Sequence, residues 1–243
     1  WRGAPIYEQD TLKQMIAVLD GEGFQVHMHC TGDAAVALAI RALEALGDET
    51  REQEEEEGRR RLKRRHIIAH VQFIAPSDIE RIGRVGAMVN MSPYWFQLEE
   101  CAYVNTLVRD DIGCTQYPCR SIMESGAVLC FGSDWPVSSM VPLEGLQVAV
   151  TRKSLSEEEE GEGARKWNYD QKITLKEAWK FYSQGSARAN FREKDVGMLK
   201  TGFSADLIVL DQDPFDVDPA RISKCAVLRT LSRGVSVWPL NSQ

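Results

Sequence analysis

The stretch FQVHMHCTGDAAVALAIRALEAL, residues 24–46, carries two different hydrophobic periods in succession, and its reading decides the fold. Phe24–His29 (FQVHMH) is a short apolar strand candidate introduced by Gly21 and Gly23. Asp33–Leu46 repeats at helical spacing, with Val36, Ile40 and Leu43 on one face and Asp33 placed to cap it. The same couplet recurs downstream. Ile67–Phe73 (IIAHVQF) is a second strand, and a helix begins over Pro76–Ile82 with Ser77 or Ala75 near its start. Gly86–Met91 (GAMVNM) is a third strand, ended by Ser92-Pro93. Ala127–Phe131 (AVLCF) is a fourth, followed by Gly132 and a helix from about Leu143. Nearly continuous apolar strands alternating with helices predict an α/β fold with a parallel sheet covered on both faces.

The end of the chain reads differently. Thr174–Ser183 (TLKEAWKFYS) is an amphipathic helix with Thr174 as cap and Glu177 three residues on, a capping box. Asp206–Leu210, Ala226–Leu231 and Val235–Trp238 then follow with turns such as Arg233-Gly234 and no helix between them, which predicts a small separate sheet. Leu207, Val209, Val227 and Leu231 are its expected packing residues. The domain reading is therefore an α/β body over residues 1–195 and a β-rich portion over 196–243.

Two charged runs interrupt this pattern. Residues 49–65 place an acidic block before a basic one, with Glu55/Arg59, Glu56/Arg60 and Glu57/Arg61 at i,i+4 spacing. Such pairs support an exposed helix by a few tenths of a kcal/mol each, although Gly58 weakens it. Residues 156–166 read as a surface loop. Both are solvated insertions, since the adjacent acids cancel the field of the basic block.

The 243 residues carry 36 acids against 29 bases, a formal charge of −7, which argues against a general nucleic-acid binder. No apolar run approaches the ~18 residues of a membrane span. Six cysteines, at 30, 101, 114, 119, 130 and 225, form no CxxC pair. That usage fits reduced thiols and a cytoplasmic setting, and the Cys114/Cys119 spacing lacks a second pair to close a zinc loop.

All four histidines, His27, His29, His66 and His70, lie in or beside two strand candidates. His29 ends the first strand, His70 falls in the middle or at the end of the second, and Asp134 follows the fourth strand in Gly132-Ser133-Asp134-Trp135-Pro136. In a parallel barrel catalytic groups collect at C-terminal strand ends. Two imidazoles and a carboxylate there have the donor chemistry of a Zn²⁺ site with one position left for water. The metal would lower the pKa of that water, and Asp134 could accept its proton. The alternative is that His29 and His70 are hydrogen-bonded core histidines and Asp134 a helix cap. Trp135 and Pro136 would either shape a pocket mouth or pack the turn.

HxHCTGDAAV at 27–36, RHIIAHVQ at 65–72, NMSP at 90–93, FGSDWPV at 131–137 and GFSADLIVLDQDP at 202–214 together resemble the metal-dependent amidohydrolase superfamily. Within it they are most similar to amidohydrolase family 3, the branch of the N-substituted formamide deformylases. The resemblance implies a distorted (β/α)8 barrel carrying a small β-sandwich, and hydrolysis of amide-like, non-peptide C–N bonds by metal-activated water. It implies His29 and His70 as metal ligands from barrel strands five and six, and Asp134 as the strand-eight ligand that shuttles the proton, with a divalent metal, Zn²⁺, as cofactor.

Two departures accompany the likeness. Ala69 stands where the family usually has Glu, and the family's strand-one His-x-His and strand-four bridging ligand have no counterpart. Four strands are read where a closed barrel needs eight. The sequence thus reads as the C-terminal half of an amidohydrolase, acting on a small amide-like substrate and incomplete alone. A non-catalytic relative that pairs its open edges with a partner chain or in a homo-oligomer is the competing class, and a deaminase of a cyclic amidine is a third.

Overall fold

A computed structural model of the chain describes residues 5–47, 50–53, 60–97, 101, 104, 106–108, 116–156 and 168–239. Contacts divide the chain into two units: residues 1–91 with 109–129, and residues 92–108 with 130–243. No helix among the described residues is long and apolar enough to cross a membrane.

The first unit opens with helix α1 (Gln9–Gly21), strand β1 (His27–Cys30) and helix α2 (Asp33–Glu44). After a two-stranded ribbon come β4 (Ile67–His70), α3 (Pro76–Val85), β5 (Met88–Met91) and the short α4 (Cys119–Glu124). Strand β6 (Val128–Phe131) runs on from Leu129 into the second unit. The sheet order is β1-β4-β5-β6, and β1, β4 and β5 pair in parallel. Ile67, Ile68, Ala69, Met88, Val89 and Met91 are all buried, as strands covered on both faces require. α2 contributes the predicted stripe of Val36, Ile40 and Leu43, all buried. Asp33 sits one position inside the expected cap. Gly32 is the N-cap, and the Asp33 carboxylate accepts from Ala34 N–H at 2.8 Å.

α3 starts at Pro76 after Ala75 and stops at Gly86, whose φ of 81° only glycine adopts readily. Within α3, a Cβ at Gly83 would stand 2.2 Å from the Ser125 carbonyl oxygen, so the absence of a side chain sets how closely α3 approaches the end of α4.

The charged insertion corrects the expectation of a helix. Its flanks are strands, β2 (Arg51–Gln53) and β3 (Arg60–Leu62), paired antiparallel with Arg51 opposite Leu62 and Gln53 opposite Arg60. Leu62, at the end of β3, is fully buried. The i,i+4 pairs rest on residues 55–59, outside the described residues, as do Cys114 and residues 157–166 of the second run. Cys30, Cys101, Cys119, Cys130 and Cys225 are buried thiols, with no disulfide among the described residues.

The start of the sheet is pinned by one imidazole. His66, 0% exposed, accepts at Nδ1 from Val26 N–H (3.0 Å), which leaves Nε2–H to donate to Asp20 Oδ1 (2.9 Å). One side chain thus joins the last turn of α1 to the beginnings of β1 and β4. Burial holds His66 below the usual imidazole pKa against the pull of Asp20, with Arg64 adding to the depression.

In the second unit, Phe131 is the hub of an aromatic cluster, with ring centroids of Phe181, Tyr182 and Phe96 at 5.2, 5.4 and 6.2 Å. Arg152 ends helix α5 (Pro142–Thr151) with φ 58°; its guanidinium lies 4.5 Å over the Phe96 ring and donates to the Phe96 carbonyl. Helix α6 (Leu175–Lys180) has the predicted capping box on Thr174 and Glu177, and continues through a π-turn (Phe181–Gly185) into α7 (Ser186–Ala189). The Ser186 hydroxyl donates to the Phe131 carbonyl at 2.7 Å. Strands β7 (Leu207–Leu210), β8 (Val227–Ser232) and β9 (Val235–Trp238) form the expected antiparallel sheet, with Leu207 opposite Leu231. Those two leucines are half-buried, whereas Val209 and Val227, expected to pack with them, are 43% and 37% exposed.

The His66 geometry sets two expected outcomes. Asp20→Ala strands a buried N–H and should cost about 1–3 kcal/mol in chemical denaturation. Because the folded pKa of His66 lies below its unfolded value near 6.5, the unfolded chain takes a proton that the folded one refuses as pH falls. Stability should therefore drop between pH 7 and 5; thermal melts unchanged across that range would contradict this assignment. Gly83→Ala should lose about 1–3 kcal/mol through overpacking against Ser125.

Candidate metal-binding residues

Alternation along β1 leaves His27 and His29 exposed and buries Met28 and Cys30. Register places His29 opposite Ala69 on β4, and Ala69 opposite Asn90 on β5, so these three form one row across the sheet. His70 pairs with Cys30 and would by alternation alone belong to the buried face of Met28, Cys30 and Ile68. The backbone overrides that rule. His70 has φ 69° and Val71 φ 49°, two successive left-handed residues. The His70 ring comes to 4.4 Å from that of His29, edge-on at 62°.

Left-handed backbone at a β-branched residue is a genuine outlier, of order 1–3 kcal/mol. It persists because its surroundings over-determine it. Val71 is fully buried, its N–H bonds to the Cys30 and Ala69 carbonyls at 3.0 Å each, and Phe73 N–H reaches the Thr31 carbonyl at 2.9 Å. Tyr117 N–H then bonds the Gln72 carbonyl at 2.8 Å, and the Gln72 amide donates to Gln116. Thr31 also touches the pair directly, its Oγ1 lying 3.1 Å from His29 Nε2.

Asp134 occupies the predicted turn after β6, half-buried and left-handed at φ 62°. It is no helix cap, because α5 begins only at Pro142 with Val141 as its N-cap. His66, outside the candidate set, is buried with both nitrogens engaged. Burial pushes the neighbouring Cys30 thiol up to about 12, and alternation along β1 sets its side chain on the face opposite His29.

The structure thus brings His29 and His70 together in the first unit and carries Asp134 in the second. Among the described residues, no three His, Cys, Asp or Glu side chains are grouped closely enough to hold a metal ion. The pair's chemistry fits a divalent ion that takes further ligands, since two adjacent neutral imidazoles can each offer a nitrogen. Asn90, half-buried in the His29 row, is the one polar side chain of β5; its only sequence signal is a single amide in the apolar run GAMVNM. The left-handed turn at Val71 has no sequence signal, because Val is among the residues least suited to it.

The sequence model of the amidohydrolase family matches residues 2–238. A Bacillus subtilis protein named as an amidohydrolase, YtcJ, is 28% identical over 97% of this chain and 41% of its own length. N-substituted formamide deformylase from Arthrobacter pascens is 32% identical over 49% of this chain and 21% of its own. Among solved structures, an uncharacterized metal-dependent hydrolase from Pyrococcus horikoshii superposes with a TM-score of 0.71 at 24% identity, covering 89% of this chain and 40% of that one. The chain therefore spans about two fifths or less of each of these three proteins.

Zinc titration followed by histidine side-chain NMR should move the resonances of His29 and His70 together and leave His66 in place. Movement of His66 before the other two would contradict the assignment.

Proposed function

The chain belongs to the amidohydrolase family, and from that membership and the paired imidazoles we infer that it forms the C-terminal half of a (β/α)8-barrel, metal-dependent hydrolase of amide-like, non-peptide C–N bonds. The observation that carries the reading is the contact of His29 and His70, 4.4 Å apart at the C-terminal ends of adjacent parallel strands, on backbone strained to produce it. Strain held at a strand end is the mark of a site rather than of a core.

His29, His70 and Asp134 would hold the divalent metal, of which Zn²⁺ suits the donor set best. Bound there, such an ion supplies Lewis acidity and makes water a nucleophile at neutral pH. Thr31 fixes the His29 ring through its hydroxyl. Asp134 takes the proton as the water oxygen attacks the carbonyl carbon, and returns it to nitrogen as the C–N bond breaks, which releases an acid and an amine. By analogy with the formamide deformylase among its relatives, N-substituted formamides are the first substrates to try.

A second reading, a non-catalytic relative, draws support from Ala69. This buried methyl group stands between His29 and Asn90 in the row where the family usually offers a carboxylate.

The test is expression of residues 1–243 and of the chain extended by its upstream coding sequence, each with Zn²⁺, on N-formyl amines and aryl amides. Turnover is expected in the extended protein alone, lost on chelation and reduced about 100- to 10,000-fold by Asp134→Asn. Robust turnover by the short chain would overturn the half-barrel reading. Inactivity of both, with stoichiometric zinc bound, would favour the non-catalytic relative.

A further inference from the structure

The loop after Asp134 presents apolar side chains to water. Trp135, Val137 and Met140 are 61%, 69% and 58% exposed. The loop is nevertheless braced. The Asp134 carbonyl accepts from Val137 N–H at 2.8 Å and from Ser138 N–H at 3.4 Å. Trp135 N–H donates to Ser133 Oγ at 3.2 Å, and the Ser138 hydroxyl donates to the Ser133 carbonyl. A Trp with most of its surface in water does not pack the turn, which removes the structural explanation for it.

We propose that Trp135, Val137 and Met140 form the recognition surface for an apolar substituent of the substrate, an aromatic ring or branched alkyl group beside the scissile amide. This rests on the reading of Asp134 as the proton-handling carboxylate. Trp135 directly follows Asp134, one peptide unit or about 3.8 Å between Cα atoms along the chain. The loop follows the C-terminal end of β6, the position from which parallel α/β folds contact ligands. The size of the patch selects the occupant. Three side chains are far too few for the ~20–30 residues a side of a stable protein interface, and suit a single ring. An indole also supplies a large rigid face with few rotatable bonds. The Ser133 and Ser138 bonds hold that face in position before any ligand arrives, which lowers the ordering cost of binding.

The experiment uses the complete zinc-loaded protein, its Trp135→Ala and Val137→Ser variants, and two probes, formanilide and N-methylformamide. Both side chains are exposed, so the variants should melt with the parent. On formanilide, Trp135→Ala should lose about tenfold or more in kcat/KM, chiefly through KM, and Val137→Ser a smaller factor. N-methylformamide turnover should change less than about threefold. Equal losses on both probes, or none on either, would overturn the proposal. Binding of formanilide, followed by saturation-transfer NMR, separates this proposal from the hydrolase reading. Formanilide bound but not cleaved, with binding lost in Trp135→Ala, supports the apolar site while the hydrolase reading fails. No binding at all overturns the site. Fluorescence of the parent against Trp135→Phe supplies the last arm. A Trp135 contribution shielded from acrylamide in the complete protein would mean that another segment covers the loop, and would also overturn the proposal.

Discussion

The left-handed backbone at His70 and Val71 is the constraint on which the candidate site depends. A regular strand sends successive side chains to opposite faces, and the β1–β4 register would then set His70 on the buried face of Met28, Cys30 and Ile68. Reversing φ at two successive residues breaks the alternation where the strand ends and delivers the ring to His29. The cost is borne by local order: a buried Val71 side chain, two backbone bonds to its N–H, and further bonds that carry the chain through Phe73 to Tyr117. Asp134 repeats the device after β6 with its own left-handed φ.

The four histidines show how position along a strand divides one chemistry into separate tasks. His66, at the N-terminal side of β4, is sealed and fully hydrogen-bonded, and works as a joint between α1, β1 and β4. His70, four residues on, emerges at the other end of the same strand. In barrels generally, the N-terminal strand ends serve stability and the C-terminal ends carry the chemistry.

Much of this was legible in the sequence. The four strands, the helix stripe of Val36, Ile40 and Leu43 and the Thr174–Glu177 box follow from period and capping chemistry, which act locally. The nearness of His29 to His70 was foreshadowed by their strand-end positions but not by face counting. The turn that makes it uses Val rather than Gly or Asn, and so leaves no propensity signal. The β2–β3 ribbon was misread as helix because weak ion pairs are visible in a sequence and the burial of Leu62 is not. Val209 and Val227 alternate as buried residues should, yet a three-stranded sheet has more apolar positions than it covers by itself.

Both units are assembled from two separated stretches, 1–91 with 109–129 and 92–108 with 130–243. The chain crosses between them three times, after residues 91, 108 and 129. No single cut of the polypeptide, and no single recombination breakpoint in its gene, parts one unit from the other intact. Inherited modules are ordinarily contiguous runs with exposed linkers between them. This pair lacks that freedom: a break anywhere between residues 91 and 130 would divide at least one of the two units.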